Sequence, residues 1–295
     1  MRPSIRTVVR QLTPPIVLTL KRAIFDRAPS VAADANRVAL RAAHDELNRD
    51  LPEDSMRLRS GIVLGLHPES REAFEAFCWR YPEMVVELDE FIARTVGKRR
   101  LLDIGALHGI FSLVFSCGDP ARQSVAVDAS PIAFARLLYN VHKNRPANIV
   151  PIECAMSAES GVVRMHYEWE HAVAAGTTSD GSPGVTVETR TGDELCASLD
   201  FEPDVIKIDV EGHEVKVLRG LRGMLRRCRP LIFLEIHPDR IREESDRLED
   251  LIGLLREAGY RAESAGGGAL PLEAIADLAT DHRAILTPVE NGNPD

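Results

Sequence analysis

Residues 99–116 read RRLLDIGALHGIFSLVFS. An apolar run ends in an acid at Asp103, glycines stand at 105 and 109, and a second apolar run follows at helical spacing. The pattern predicts a strand, a tight turn at Gly105 and a helix opened at Gly109. Glycine at 105 lets the chain turn without a side chain, and Gly109 allows a ligand or a neighbouring element to come close. A dinucleotide fingerprint, G-x-G-x-x-G, would need its middle glycine where Leu107 stands. A bulky residue there argues against a pyrophosphate. The acid before the turn suits a ligand with a positively charged amino group, of which S-adenosylmethionine is one. A glycine pair also serves as a plain packing or turn device, and this stretch alone leaves both readings open.

The alternation continues outward. QSVAVDA precedes SPIAFARLLYNVHKN; ANIVPIECAMS follows; PDVIKIDV precedes EVKVLRGLRGMLRRC; RPLIFLEI precedes DRLEDLIGLLREAG; YRAESAG and HRAILTP supply one or two late strands. Strands alternating with helices predict an α/β fold, doubly wound, with a mostly parallel sheet covered on both faces. In such a sheet the ligand lies beyond the carboxyl ends of the strands, where strand order reverses. Residues 1–68 read as an N-terminal helical appendage, with VAADANRVALRAAHDELNRDLPED closed by Pro52, and residues 69–290 as the main domain. YEWEHAVAAGTTSDGSPGVTVETRTGDEL predicts a polar loop or hairpin able to close over the site. Tyr167 and Trp169 there are candidates to stack on a sugar ring, with Glu168, Glu170 and His171 beside them. The terminal ENGNPD reads as a frayed tail.

With 295 residues, 44% of them hydrophobic, the chain can bury a sizeable core. A formal charge of −9 argues against a broad nucleic-acid footprint, which needs clustered Lys and Arg, and leaves only a local basic patch open. Cys78, Cys117, Cys154, Cys196 and Cys228 are scattered, without metal or disulfide spacing, as expected of reduced thiols in a cytoplasmic protein. At the N-terminus, Pro14 and Pro15 divide a basic segment with no run long enough to span a bilayer. Its IVLTLKRAIF stretch can lie on a membrane surface, pack on its own domain, or pair subunits in a homodimer.

Two further stretches carry chemistry. QSVAVDAS ends a strand in Asp128, whose carboxylate matches the two hydroxyls of a ribose; capping the helix at Ser130 and Pro131 is its alternative role. VIKIDVEGHE delivers Asp209, Glu211 and His213 at a strand end, with Gly212 allowing the turn. LIFLEIHP places Glu235 and His237 at the adjacent one. Acids and imidazoles from two strands therefore aim at one crevice.

With these motifs the chain resembles the FkbM family of S-adenosylmethionine-dependent methyltransferases over roughly residues 80–240. LLDIGALHGIFSL resembles the family's first motif, VAVDASP its acidic second motif, and IKIDVEGHEVKVLRG with LIFLEIHP its most characteristic block. The chain departs from the family in having Leu107 and His108 where members commonly show Asn after Gly-Ala. The resemblance implies a class I, Rossmann-like fold with a seven-stranded sheet, and methyl transfer to a hydroxyl of a sugar, glycan, glycolipid or polyketide. It implies that Asp103, Gly105, Ala106 and Gly109 surround the methionine part of the cofactor, that Asp128 and Ala129 meet its ribose, and that Ala155 and Met156 edge its adenine.

The sulfonium makes the methyl group electrophilic, so the protein must align an oxygen with it and remove a proton. His237 and His213 are the candidate bases, with His237 preferred because it directly follows a strand end. Asp209 is a candidate to position the acceptor hydroxyl or the cofactor's amino group. Asp209, Glu235 and His237 form a candidate metal set, Glu211 adding a further oxygen, of the type that magnesium prefers. Glu211 as a helix cap and Glu235 as a partner of Lys207 or an Arg are the structural alternatives. An NAD-dependent oxidoreductase is disfavoured by Leu107, and amino-group methylation by the lack of a Pro-Pro-Tyr type motif after IKIDV. A noncatalytic binding protein on the same fold is the remaining alternative.

Overall fold

A computed structural model of the chain describes residues 42–145, 148–168, 171–174 and 185–289. The elements are β1 (Ser55–Arg57), β2 (Val63–Gly65), α1 (Pro68–Arg80), α2 (Pro82–Arg94), β3 (Arg100–Ile104), α3 (Ile110–Ser116), β4 (Gln123–Asp128), α4 (Pro131–Asn144), β5 (Ile149–Glu153), β6 (Ala155–Met156), β7 (Gly161–Glu168), β8 (His171–Ala174) and β9 (Val185–Arg190). There follow α5 (Gly192–Ser198), β10 (Val205–Ile208), α6 (Glu214–Gly220), α7 (Arg222–Cys228), β11 (Leu231–Ile236), α8 (Pro238–Glu243), α9 (Leu248–Ala258), β12 (Tyr260–Ser264), β13 (Ala269–Leu270) and β14 (His282–Pro288).

The large sheet has the order β13-β12-β14-β11-β10-β3-β4-β5. Its strands from β11 to β5 are parallel, and β14 is antiparallel to both β11 and β12. The chain starts in the middle of the sheet at β3, winds to one edge, then crosses to β10 and winds to the other. This is the class I, Rossmann-like arrangement. The seven expected strands are joined by an eighth, β13, a two-residue return that pairs Ala269 and Leu270 with β12.

Residue alternation explains the two packed faces. Leu102, Ile104, Ile206, Ile208, Ile232 and Leu234 face one layer, with Leu218, Leu225 and Leu255 from α6, α7 and α9. Leu101, Val205, Phe233 and Ile285 face the other, with Phe91 and Phe111. Phe91 meets Phe111 edge-on at 5.0 Å and Phe233 at 5.1 Å, joining α2 and α3 to the sheet. Lys207 shares the alternation of Val205, so its ammonium enters this second layer and is 2% exposed.

Two local readings change and a third takes definite form. Residues 55–65 are an antiparallel hairpin rather than part of a helical segment, since Met56 and Leu64 pair across it and both are buried. Asn144 ties it to α4, accepting from Gly65 N at 2.8 Å and donating to Gly65 O at 2.7 Å. Leu47–Asp295 form one compact unit that includes this hairpin. Secondly, ANIVPIECAMS breaks at Cys154: β5 ends the large sheet, whereas β6 joins a four-stranded sheet of order β6-β9-β7-β8. Thirdly, the segment expected as a polar loop or hairpin takes an extended hairpin form, β7 pairing antiparallel with both β8 and β9. Trp169, Glu170, the side chains of Tyr167, Glu168 and His171, the N-terminal IVLTLKRAIF stretch and the terminal tail lie outside the described residues. All five cysteines are unpaired. No helix among the described residues is long and apolar enough to cross a membrane.

Candidate active site

The carboxyl ends of β3, β4 and β10, with β6 and β7, enclose a cleft of about 80 Å³ that opens to solvent. Gly105, Leu107, Asp128, Ala129, Ala155, Met156, Asp209, Glu211 and His213 line it. Eight of these are candidate functional residues by sequence, and Leu107 is the departure from the family's first motif.

The first turn is built for close approach. Gly105 has φ +75°, and a Cβ on it would stand 1.7 Å from the Asp209 carbonyl oxygen, so any side chain would push β3 and β10 apart. The amides of Gly105 and Ala106 both donate to Val127 O at 2.9 Å. Leu107 has φ +49° and its amide donates to Asp128 Oδ2 at 2.7 Å. Gly109 shares the left-handed backbone, with φ +78°, and a Cβ there would also meet Leu137 Cδ1 of α4 at 2.4 Å; it does not line the cleft. Ala106 is buried and lies behind the lining.

Asp103 is 1% exposed and also stands behind the cleft wall, its Oδ2 accepting from Ser112 N at 3.1 Å and Ser112 Oγ at 2.7 Å. Burial pushes its carboxyl up to about 6 against those bonds and the charge of Lys207. Asp128 accepts from Ser130 N at 2.8 Å through its other oxygen, while Ser130 Oγ takes the amide of Ala133 and so caps α4. Burial raises Asp128 to about 7, opposed by its two amide bonds. Each of its oxygens keeps a lone pair for a further donor.

The other wall is a charge network. Lys207 Nζ lies 3.3 Å from Glu87 Oε1 and 3.6 Å from Asp209 Oδ2, and Arg283 joins Glu87 at 3.2 Å to Glu235 at 2.5 Å. Burial works against the charge of Asp209, but Lys207, His237 and Arg283 hold it down at about 2. Glu235 is pushed well above the usual carboxylate range by burial and then by the charge of Asp209.

The two histidines separate here. His237 is 4% exposed, sits behind the lining, and bonds through Nδ1 to Glu214 Oε1 at 2.7 Å. Its Nε2 faces Asp209 Oδ1 at 3.9 Å, Glu211 Oε2 at 3.8 Å and Glu235 Oε1 at 3.8 Å. Burial alone would lower it, yet the hydrogen bond and charge of Glu214, then Glu211 and Asp209, raise it to about 10. His213 lines the cleft, with Nδ1 2.6 Å from Glu244 Oε2 and Nε2 3.0 Å from Ser157 Oγ. Glu244 also holds Lys216. The strand end directs His237, the base preferred from the sequence, inward behind the lining, and the turn at Gly212 carries His213, the other candidate, to the surface of the cleft.

Asp209, Glu211 and His237 each offer a ligand atom, all within 4.8 Å of one another. Glu211 does not cap the next helix: it has φ +52° and its Oε2 lies 3.1 Å from Arg240 Nε. Glu235 carries the bond to Arg283. Sequence reading missed Glu87, Ser157, Glu214, Glu244 and Arg283. Glu214 is legible in IDVEGHE as the acid opening the helix; the others come from distant segments and leave no local signal.

A model of the methyltransferase FkbM domain matches residues 103–262, just over half of the chain. The hexuronic acid methyltransferase AglP of Haloferax volcanii is 32% identical over 139 residues, which span 46% of this chain and 55% of that protein. The chain thus matches about half the length of this curated relative. Among solved structures, methyltransferase FkbM from Methylobacillus flagellatus aligns at 18% identity over 64% of this chain and 43% of its own, with a TM-score of 0.42. Fibrillarin of Aeropyrum pernix, solved with S-adenosyl-L-methionine, aligns at 18% identity over 65% of this chain and 66% of its own, with a TM-score of 0.38.

Proposed function

The chain belongs to the FkbM methyltransferase family, and we propose that it transfers the methyl group of S-adenosylmethionine to a hydroxyl of a sugar or glycan. The observation that carries the choice of oxygen is His213, an imidazole at the cleft wall whose Nε2 already holds a hydroxyl, that of Ser157, at 3.0 Å. The relative named for hexuronic acid methylation favours a sugar acceptor, and a uronic acid is the first to test. A polyketide hydroxyl is the alternative. The family match at 103–262 lies within the larger compact unit, which begins at Leu47 and takes in the hairpin at 55–65. Five unpaired cysteines suit a reducing, cytoplasmic setting.

The residues present fit the cofactor. Asp128 retains acceptor lone pairs at the end of β4 for the ribose hydroxyls, and Ala129, Ala155 and Met156 give an apolar edge for the adenine. The chain at Gly105 leaves the floor of the cleft free of side chain, and Asp209, beside it, can position the acceptor hydroxyl. Asp103, Ala106 and Gly109 act through the turn, by holding α3 and α4 against it.

When bound, the cofactor supplies an electrophilic methyl group. The acceptor hydroxyl takes the place of Ser157 Oγ at His213 Nε2, and Glu244 fixes the ring through Nδ1. With the methyl group so supplied, His213 Nε2 would take up the proton that the acceptor hydroxyl gives up on methylation. Glu244 is a positioning residue, setting the tautomer that leaves Nε2 able to accept.

Calorimetric titration with S-adenosylhomocysteine, coupled to transfer of labelled methyl to uronic acid and neutral sugar acceptors, tests this assignment. The expected result is micromolar binding that Asp128→Ala weakens about tenfold or more, equal to about 1.4 kcal/mol, with label recovered as a methyl ether. Absence of binding would overturn the cofactor assignment, and label recovered on nitrogen or as an ester would overturn the hydroxyl acceptor.

A further inference from the structure

The wall of the cleft opposite Asp128 holds a group whose bonding is incomplete. His237 is more than nine-tenths buried, and its Nδ1 is fixed by Glu214, itself fully buried. The other ring nitrogen, Nε2, faces carboxylate oxygens of Asp209, Glu211 and Glu235 at 3.8–3.9 Å. These separations are beyond a hydrogen bond, which an imidazole makes at about 2.7–3.2 Å. They fall within the span of atoms around one ion, between the roughly 3 Å of adjacent ligands and the about 4–5 Å of opposite ones at bonds of about 2.1–2.4 Å.

We propose that Asp209 Oδ1, Glu211 Oε2 and His237 Nε2 form a binding site for a hard divalent cation of the magnesium or manganese class. The donor set is two carboxylates and one imidazole, which suits such ions and leaves positions open for water or an acceptor oxygen. The surrounding bonds orient these donors. Glu214 holds His237 through Nδ1, the carboxylate–histidine arrangement that aims the opposite nitrogen at a metal. Lys207 pairs with Oδ2 of Asp209, so Oδ1 is the oxygen turned to His237. Arg240 steadies Glu211 from α8. Glu235, the acid expected as a ligand from its place on β11, is drawn instead to Arg283.

The site deepens the proposed O-methyl transfer and rests on it for its purpose. Asp209 and Glu211 line the same cleft as His213. A cation held there would orient the two vicinal oxygens of a sugar and make the reacting hydroxyl a better acid. This gives a second means of activating the hydroxyl in a cleft whose base is a single imidazole.

Manganese titration of the full chain, followed by the six-line electron paramagnetic resonance signal of free Mn²⁺, reads the site without any turnover. One Mn²⁺ is expected per chain, with affinity reduced about 10- to 100-fold in both Glu211→Gln and His237→Gln. Glu211→Gln is the conservative test of the two, since its side chain is partly exposed and the amide keeps its shape; thermal melts confirm that each variant is folded. An undiminished free signal at about 1 mM Mn²⁺, or unchanged affinity in both folded variants, would overturn the site. Titration of the same wild-type sample with S-adenosylhomocysteine separates the two proposals. Manganese binding without nucleoside binding supports the cation site and removes the cofactor assignment; the converse removes the cation site alone.

Discussion

Along β3 and β4 the acids answer to main-chain amides, whereas along β10 and β11 they answer to other side chains. Asp103 closes on Ser112, and Asp128 closes on Leu107 and Ser130, all within about two dozen residues of sequence. Asp209 and Glu235 sit instead among Lys207, Arg283, Glu87 and His237, drawn from β10, β14, α2 and the junction of β11 and α8. The first wall is a shaped, mostly apolar cradle whose few polar groups are already oriented by the backbone. The second is a poised set of charges in which each group depends on several others. A cofactor with a large apolar ring and a ribose suits the former, and proton movement suits the latter.

The sharpest way to break this comparison is to remove the imidazole from the charged wall. His213→Gln is expected to lower the rate of labelled methyl transfer by about 10²–10⁴-fold, the span of general base catalysis, while S-adenosylhomocysteine affinity stays within about twofold of wild type. A loss of nucleoside binding instead would show that the two walls do not divide the work. Stability gives the next largest effect. Lys207→Ala leaves the buried Glu87 and the partly exposed Asp209 without the ammonium between them, and is expected to cost about 3–5 kcal/mol in urea unfolding, mostly through Glu87. A cost under about 1 kcal/mol would mean that Arg283 alone satisfies these carboxylates.

The main-chain wall predicts a smaller effect that depends on pH. Asp103 is raised by burial from 3.8 to about 6, so it favours the folded chain fully below pH 3.8. That contribution is lost as pH rises through about 6, because burying the ionised form costs up to about 3 kcal/mol for a shift of roughly two units. Asp103→Asn keeps an oxygen for Ser112 but cannot ionise. Its thermal midpoint is expected to gain on wild type steadily between pH 4 and 7, and a constant difference over that interval would remove the assigned cause.

The same contrast explains which parts were legible. Asp103, Gly105 and Asp128 could be found because each acts within a few residues of a strand end, and the alternation of apolar runs gives those ends. IKIDVEGHE was legible as a cluster for the same reason. The bonds that give the cluster its chemistry were not. Glu244 reaches His213 from 31 positions away and Glu87 reaches Arg283 from 196 away, and no periodicity marks either. The hairpin at 55–65 was hidden by its shortness: three-residue strands flanked by charged residues resemble the ends of a helical segment as closely as they do a hairpin.

By itself the sequence determined the α/β class, the succession of strands and helices along the chain, the turn at Gly105 and the acids at the strand ends, because these depend on local periodicity and on what one residue permits its neighbours. Only the tertiary structure decided that Gly109 packs on α4, that Glu235 belongs to Arg283, and that His213 rather than His237 opens to the cleft. Those outcomes depend on which charges and side chains meet across the sheet, where burial removes water and leaves each polar group to the partner the fold brings within reach.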